Sequence, residues 1–312
     1  MMSFFSHIKE LTIFYILIVL FTIFSIFVPN FFSFDNIVSI LRQVSAFTVI
    51  AFGEFFVIVS GGFDLSIGST IGFVGIVVAS LIKIVGLNFW FAMFMALMVC
   101  LLIGLFNGTL VVWGTIPPFI ATLATMVIVR GINFLISNGI PISGFPESFG
   151  YLGRGYIGLI PVPVVMMAIT SFVCYLFMEH TETGRCIYAV GGNEEATRLS
   201  GVNVAKIKVL VYVLSSFFAG VGAIMIASRI MAGQPTVGDN MLFDVVTAVV
   251  LGGTALSGGK GNILGVISGA IILGMVANAM VLLRIGTYWQ WIIKGIILAI
   301  VVLIDSKTKE RG

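Results

Sequence analysis

Ten apolar runs, each close to the thickness of a bilayer, leave this chain little to form except membrane-spanning helices. A helix rises ~1.5 Å per residue and the hydrocarbon layer is about 30 Å thick, so roughly 17–25 apolar residues cross once. Runs that meet this, some only with tilt or bending, have cores at Leu11–Val28, Val44–Val59, Ile67–Ile82, Phe89–Val112, Pro118–Ile136, Val162–Met178, Ile207–Ile230, Leu242–Leu256, Ile263–Leu283 and Tyr288–Ile304. Glycines and short length blur the ends of the third and eighth. Charged residues make up 9% of the chain and apolar ones 59%, against roughly 25% charged in an average soluble domain. The expected fold is an all-α polytopic membrane protein: one transmembrane domain over residues 1–312, with about ten helices and short connections.

The first run is too long for the core of a signal peptide and lacks a small-x-small cleavage site before Pro29, so it is expected to be a span. Basic residues set the orientation. With both termini cytosolic, the inner side holds Lys9, Arg185, Arg198, Lys206, Lys208, Lys260, Lys307, Lys309 and Arg311, and the outer loops hold Arg42, Lys83, Arg154 and Arg284. The largest cytosolic connection is then 179–206, between spans six and seven. The extracytoplasmic ones include 138–161 and 232–241. A net charge of +3, scattered along the chain, does not suggest nucleic acid.

Hydrolytic and redox motifs are missing. The only histidines, His7 and His180, flank spans, and Cys100, Cys174 and Cys186 have no metal or disulfide spacing. There is no HExxH, no GxSxG and no GxxxxGK[ST] phosphate loop. The pattern GGxxLSxG occurs at Gly61–Gly68 and again at Gly252–Gly259. It reads either as a duplication or as two independent breaks where helices pack closely.

Polar residues inside the spans are costly and so informative. Glu54, Asp64, Asn107, Arg130, Asn133, Asp244, Thr247, Asn278 and Lys294 are of this kind, with Arg130, Asn133 and Ser137 on one helical face. Asp64, Asn107, Arg130, Asn133 and Asn278 are the candidates for lining a hydrated solute pathway. The structural alternatives are a pair between Arg130 and Glu54 or a reach to the outer headgroups, interhelical bonding by Asn107 and Asn278, and snorkelling by Lys294 beside Trp289 and Trp291. Asp64 sits where the helix is expected to break, so exposed amides there need polar company.

The connection 179–206 contains a helix of its own. Gly191-Gly192 breaks the chain, Asn193 suits an N-cap, Glu194 and Glu195 suit the positive end of a helix dipole, and Gly201 supplies a stop. Ala196 and Leu199 share one side, while Glu194, Glu195 and Arg198 offer polar contacts. So short a helix is unstable alone in water. It must rest on its own membrane surface or dock to a cytosolic protein, and two acidic residues at its tip favour docking.

GGFDLSIGS (61–69), IPPFIATLAT (116–125), TETGRCIYAVGGNEEATRLSGVNVAKIK (181–208), LGGTALSGGKGN (251–262) and YWQWIIKGIILAIVVLID (288–305) resemble the permease subunits of bacterial ATP-binding cassette importers for ribose, galactose, xylose and related sugars. The resemblance covers nearly the whole chain, in order. It implies a plasma-membrane permease that is not itself an enzyme and holds no cofactor, ATP and Mg being bound by a cytosolic partner ATPase, commonly with tandem nucleotide-binding cassettes. It also implies an extracytoplasmic solute-binding protein, a second permease copy or paralogue, and a small sugar as substrate. Under it the stretch with Gly192, Asn193, Glu194, Glu195, Arg198, Leu199 and Gly201 becomes the coupling helix. Transport is then expected by alternating access along the interface between the two permeases. The alternatives are a secondary transporter driven by an ion gradient, with Glu54, Asp64 and Arg130 as relay, and a receptor or scaffold that leaves the polar spans unexplained.

Overall fold

The computed structural model describes the backbone of residues 2–310 and the side chains of residues 13–307. The side chains of His7, Lys9 and Lys309, and all of Arg311, lie outside that description. The chain is helical almost throughout: α1 Met2–Phe27, α2 Phe34–Val59, α3 Ile67–Lys83, α4 Phe89–Val112, α5 Pro118–Ser137, α6 Tyr151–Arg154, α7 Val162–His180, α8 Glu182–Gly192, α9 Glu194–Leu199, α10 Val204–Ile230, α11 Met241–Leu251, α12 Ile263–Leu282 and α13 Thr287–Glu310. Side-chain oxygens cap many of the starts. Ser33, Asn88, Thr181, Asn193, Asn203 and Asn262 each accept from a backbone N–H of the first turn, and Pro begins α5.

Among the described residues, seven helices are long and apolar enough to cross a membrane: α2, α4, α5, α7, α10, α12 and α13. The remaining expected spans coincide with shorter apolar helices, at Ile13–Phe27, α3 and α11. With 11 residues, α11 extends only about 16 Å. The expected eighth span, Leu242–Leu256, therefore stops early, at Leu251, where Gly253 turns left-handed at φ +87°.

The segment expected as an outer connection at 232–241 supplies what α11 lacks. After the short strand at 232–233 it runs as a series of turns against α3, whose Gly68, Gly72 and Gly75 face it. A Cβ on Gly72 would stand 2.5 Å from Pro235 O, and one on Gly68 2.9 Å from Gly238 O. Glycine is needed here because backbone packs on backbone. Ala232–Gly233 (β4) also pairs with Ile142–Ser143 (β1), and Tyr156–Ile157 (β2) with Ile160–Pro161 (β3), so the connection 138–161 holds one minimal antiparallel ladder and shares another with the segment before α11.

At the centre lie α2 and α10, which pack on each other and on most other helices. Gly53 of α2 meets the backbone of Ser215, Gly222 of α10 meets Ile50 and Ala46, and Gly104 and Gly108 of α4 meet Tyr212 and Val209. Small residues let these helices approach closely where lipid supplies no hydrophobic drive to pack them. At the periphery, no residue in the apolar stretch of α13 is buried within the chain.

Two expectations at the cytosolic connection change. Gly191 and Gly192 do not break the chain before a lone short helix, because they complete an unanticipated helix, α8. The break falls at Asn193, φ −159°. The two GGxxLSxG copies both end a helix on a left-handed glycine, but at Gly61 and Gly253, one residue out of step with the motif. The helices that follow also pack differently, α12 on α11 but α3 on α4, α5 and α10.

Gly191 and Gly192 give a paired test. A Cβ on Gly191 would stand 1.8 Å from Val59 O, whereas one on Gly192 meets nothing within 4 Å. Gly191→Ala is expected to destabilise the detergent-purified protein by about 1–3 kcal/mol through overpacking, and Gly192→Ala by well under 1 kcal/mol, as read from thermal unfolding.

Candidate functional site

The short helix anticipated from its caps is α9, at the end of the bundle where α2 ends and α10 begins. The Asn193 side chain accepts from Ala196 N at 2.9 Å, and Gly201 takes φ +87° as the chain leaves. Thr197 is buried and closes the turn onto Asn193 O. Glu194 forms an ion pair with Lys208 of α10, and Glu195 one with Arg198 of α9 itself. Leu199 is 79% exposed. The helix is thus fixed at its base and presents an apolar knob beside the polar Glu195 and Arg198.

What fixes it reaches far into the bundle. Gly191 of α8 packs on the last carbonyl of α2, and Gly258 and Gly259 close over the backbone of Gly191 and Gly192. Gly259 N donates to Val59 O, and the Tyr188 hydroxyl donates to Gly261 O at 2.8 Å. Burial, and then the nearby Glu179 carboxylate, push the Tyr188 phenol above its usual range, so it stays a proton donor. Helices α8 and α9 therefore form a platform joined to α2, to α10 and to the connection before α12. Tyr188 and Gly191 are contacts that residue-by-residue reading missed, although both lie in the stretch that drew attention. A cavity of about 660 Å³ separates α9 from the turn at Thr115–Pro118 and is edged by Glu194, Arg198 and Lys208.

The polar residues inside the bundle fall into separate groups. Asp64 and Glu54 are fully buried. Asp64 Oδ1 accepts from Ser66 N at 2.9 Å and Ser66 Oγ at 2.6 Å, with Asn107 Nδ2 at 3.5 Å, while Oδ2 accepts from Ser215 Oγ at 2.8 Å. Asn107 also donates to Ser66 Oγ. Glu54 Oε1 accepts from Asp64 N at 3.3 Å, and Thr122 Oγ1 accepts from Leu65 N and donates to Phe63 O. These side chains satisfy the non-helical backbone between α2 and α3, the service expected of Asp64 at a break.

The other candidates lie elsewhere. Asn133 is buried and donates to Pro235 O at 2.7 Å, holding the segment before α11. Arg130 pairs with Asp239 at 2.8 Å, in place of the partnership with Glu54. Asn278 and Asn36 exchange amide hydrogen bonds between α12 and α2 at 3.0 and 2.8 Å. Lys294, expected to snorkel, is bound to Asp244 of α11.

Residues 36–302 match the family described as branched-chain amino acid transport system / permease component. The chain belongs to that permease family. Among its relatives, "Ribose import permease protein RbsC" of Haemophilus influenzae (strain Rd) is 42% identical, covering 93% of this chain and 91% of that protein. The protein of the same name from Bacillus subtilis (strain 168) is 39% identical over 93% and 91%. "L-arabinose transport system permease protein AraH" of Escherichia coli (strain K12) is 38% identical over 92% and 87%. No solved structure matches. As a permease of this family, the chain is a multi-pass protein of the prokaryotic plasma membrane.

The buried group around Asp64 predicts a graded response. Asp64→Ala leaves the Ser66 and Ser215 donors without an acceptor, at about 1–3 kcal/mol for each buried orphan, while Asn107 keeps Ser66 Oγ. Asp64→Asn keeps one oxygen in place. Thermal unfolding in detergent should show the alanine variant clearly less stable than the asparagine one.

Proposed function

We propose that this chain is the membrane-spanning permease subunit of an ATP-driven, binding-protein-dependent importer for a monosaccharide, a ribose-like pentose or a related sugar. The relatives named for ribose and L-arabinose support the substrate class. The observation that carries the mechanism is α9: a capped helix, anchored by Glu194 to α10 through Lys208, with Leu199 exposed and unused by its own chain.

In this reading α9 is the coupling helix. Leu199 enters a groove of the cytosolic ATPase, with Glu195 and Arg198 as the polar grip and Asn193, Gly192 and Gly201 setting the ends of the helix. The ATPase, one chain with tandem nucleotide-binding cassettes, holds ATP and Mg. Its closure moves α9, and the α8–α9 platform carries the movement into α2 and α10. A second permease copy completes the translocation unit, and an extracytoplasmic binding protein delivers the sugar. Both termini are cytosolic and ten helices enter the membrane, α3 and α11 only part of the way as helix. The ion-driven alternative called for Glu54, Asp64 and Arg130 to act as one relay, and Arg130 is tied to Asp239 instead.

Reversing charge in the grip is the test. Glu195→Lys is expected to abolish uptake and ATPase recruitment in reconstituted liposomes while membrane insertion is unchanged. Leu199→Asp should do the same, although Leu199 is so exposed that its loss costs the isolated permease little. Wild-type import by either variant, with the complex assembled, would show that α9 is not the coupler.

A further inference from the structure

At the end of the bundle opposite α9, a cavity of about 340 Å³ lies among α2, α10, α11, α12 and α13. Arg229, in the last turn of α10, marks its level, and α10 is 27 residues long, or about 40 Å. Gln43, Arg229, Asn240, Asp244 and Lys294 converge on the cavity, with Phe47 contributing an apolar wall. Lys294 is bound to Asp244 Oδ2. Among the described residues, the Gln43 and Asn240 amides, the Arg229 guanidinium and Asp244 Oδ1 have no hydrogen-bonding or ion-pair partner within the chain. Gln43, Arg229 and Asn240 are exposed, so water can meet them in the empty cavity; a concave site where several polar groups converge beside apolar surface is the usual form of a small-molecule site.

We propose that this cavity is a resting site for the transported solute, a small neutral polyhydroxylated molecule, on the side from which it is delivered. Only that direction and the import of sugar rest on the function proposed above. Each hydroxyl of such a solute both donates and accepts. The cavity answers with donors from Arg229, Lys294 and the two amides, and with acceptors from Asp244 Oδ1 and the amide oxygens. Phe47 suits a face of C–H groups. The single carboxylate is already matched by Lys294, so the site is no cage for a cation. Arg229 leaves the lining with one net positive charge, so the neutral character of the solute rests on the import of sugar proposed above. The cavity's volume lies at the small end of the roughly 300–1,000 Å³ typical of such sites, which suits one monosaccharide. None of Asp64, Asn107, Arg130, Asn133 or Asn278 lines it.

The test uses the permease with its ATPase and binding protein in proteoliposomes. The probe is the sugar that the wild-type complex imports from a panel of D-ribose, L-arabinose, D-xylose and D-galactose. Gln43→Ala and Asn240→Ala, neither of which removes a bond within the chain, should each cut uptake at least fivefold while the complex still assembles. Ala277, which lines the cavity, changed to cysteine should react with an impermeant thiol reagent added on the side opposite the ATPase. Saturating sugar with binding protein should slow that labelling at least threefold. No native thiol competes there, because Cys100 and Cys174 are buried and Cys186 lies in α8 at the other end. Wild-type uptake by both alanine variants, with labelling indifferent to every sugar of the panel, would overturn the proposal. Sugar-protected labelling with uptake that needs an ion gradient and no ATPase would sink the importer reading and sustain the cavity. ATP-driven uptake without protection would do the reverse.

Discussion

Backbone amides that leave a helix inside a hydrocarbon layer have no water to turn to, and two stretches of this chain leave one. The stretch between α2 and α3 is met by Glu54, Asp64 and Thr122, and the stretch before α11 by Asn133 and the β1–β4 ladder. Each unsatisfied group there would cost several kcal/mol, so these side chains are conditions of the fold. That requirement accounts for Asp64, Asn107 and Asn133, three of the residues expected to line a pathway. It also explains why they are fully enclosed.

Much of the architecture was legible because lipid imposes it. Apolar runs of span length became helices, and Asn193 caps the short helix α9 as its side chain and position suggested. Of the blurred third and eighth runs, the third is helical over its whole length and only the eighth stops early, at Leu251. What local reading could not supply was partnership. Arg130 and Lys294 each found an acid more than forty residues away, and periodicity is blind to such distances. The Arg130–Asn133–Ser137 face was real only in part: Thr122, Thr125, Asn133 and Ser137 point inward, while Arg130 sits at the exposed edge.

The glycines follow the same logic. GGxxLSxG read either as a duplication or as two independent breaks, and its copies do meet, with Gly258 against Gly61 and both beside Gly191. Their helix stops differ by a residue and their following helices pack differently. The resemblance therefore reflects a shared need for a tight helix end where three backbones converge. Gly191 could not have been assigned that role from its neighbours in sequence, since the carbonyl it packs on belongs to Val59.

In the proposed function, the platform of α8 and α9 joins these features to movement. A helix of six residues cannot transmit force unless something stiffer holds it, because helices this short do not persist alone. Here the Glu194–Lys208 pair ties it to α10, and the glycine contacts of α8 tie it to the end of α2. Those two helices form the densest packing of the bundle, and close-packed interiors transmit strain instead of absorbing it. Displacement of α9 therefore reaches α2 and α10 together. Farther along, the same two helices contribute Gln43 and Arg229 to the polar cavity, so a tilt of either changes the spacing of groups that would hold a solute roughly 25–40 Å away.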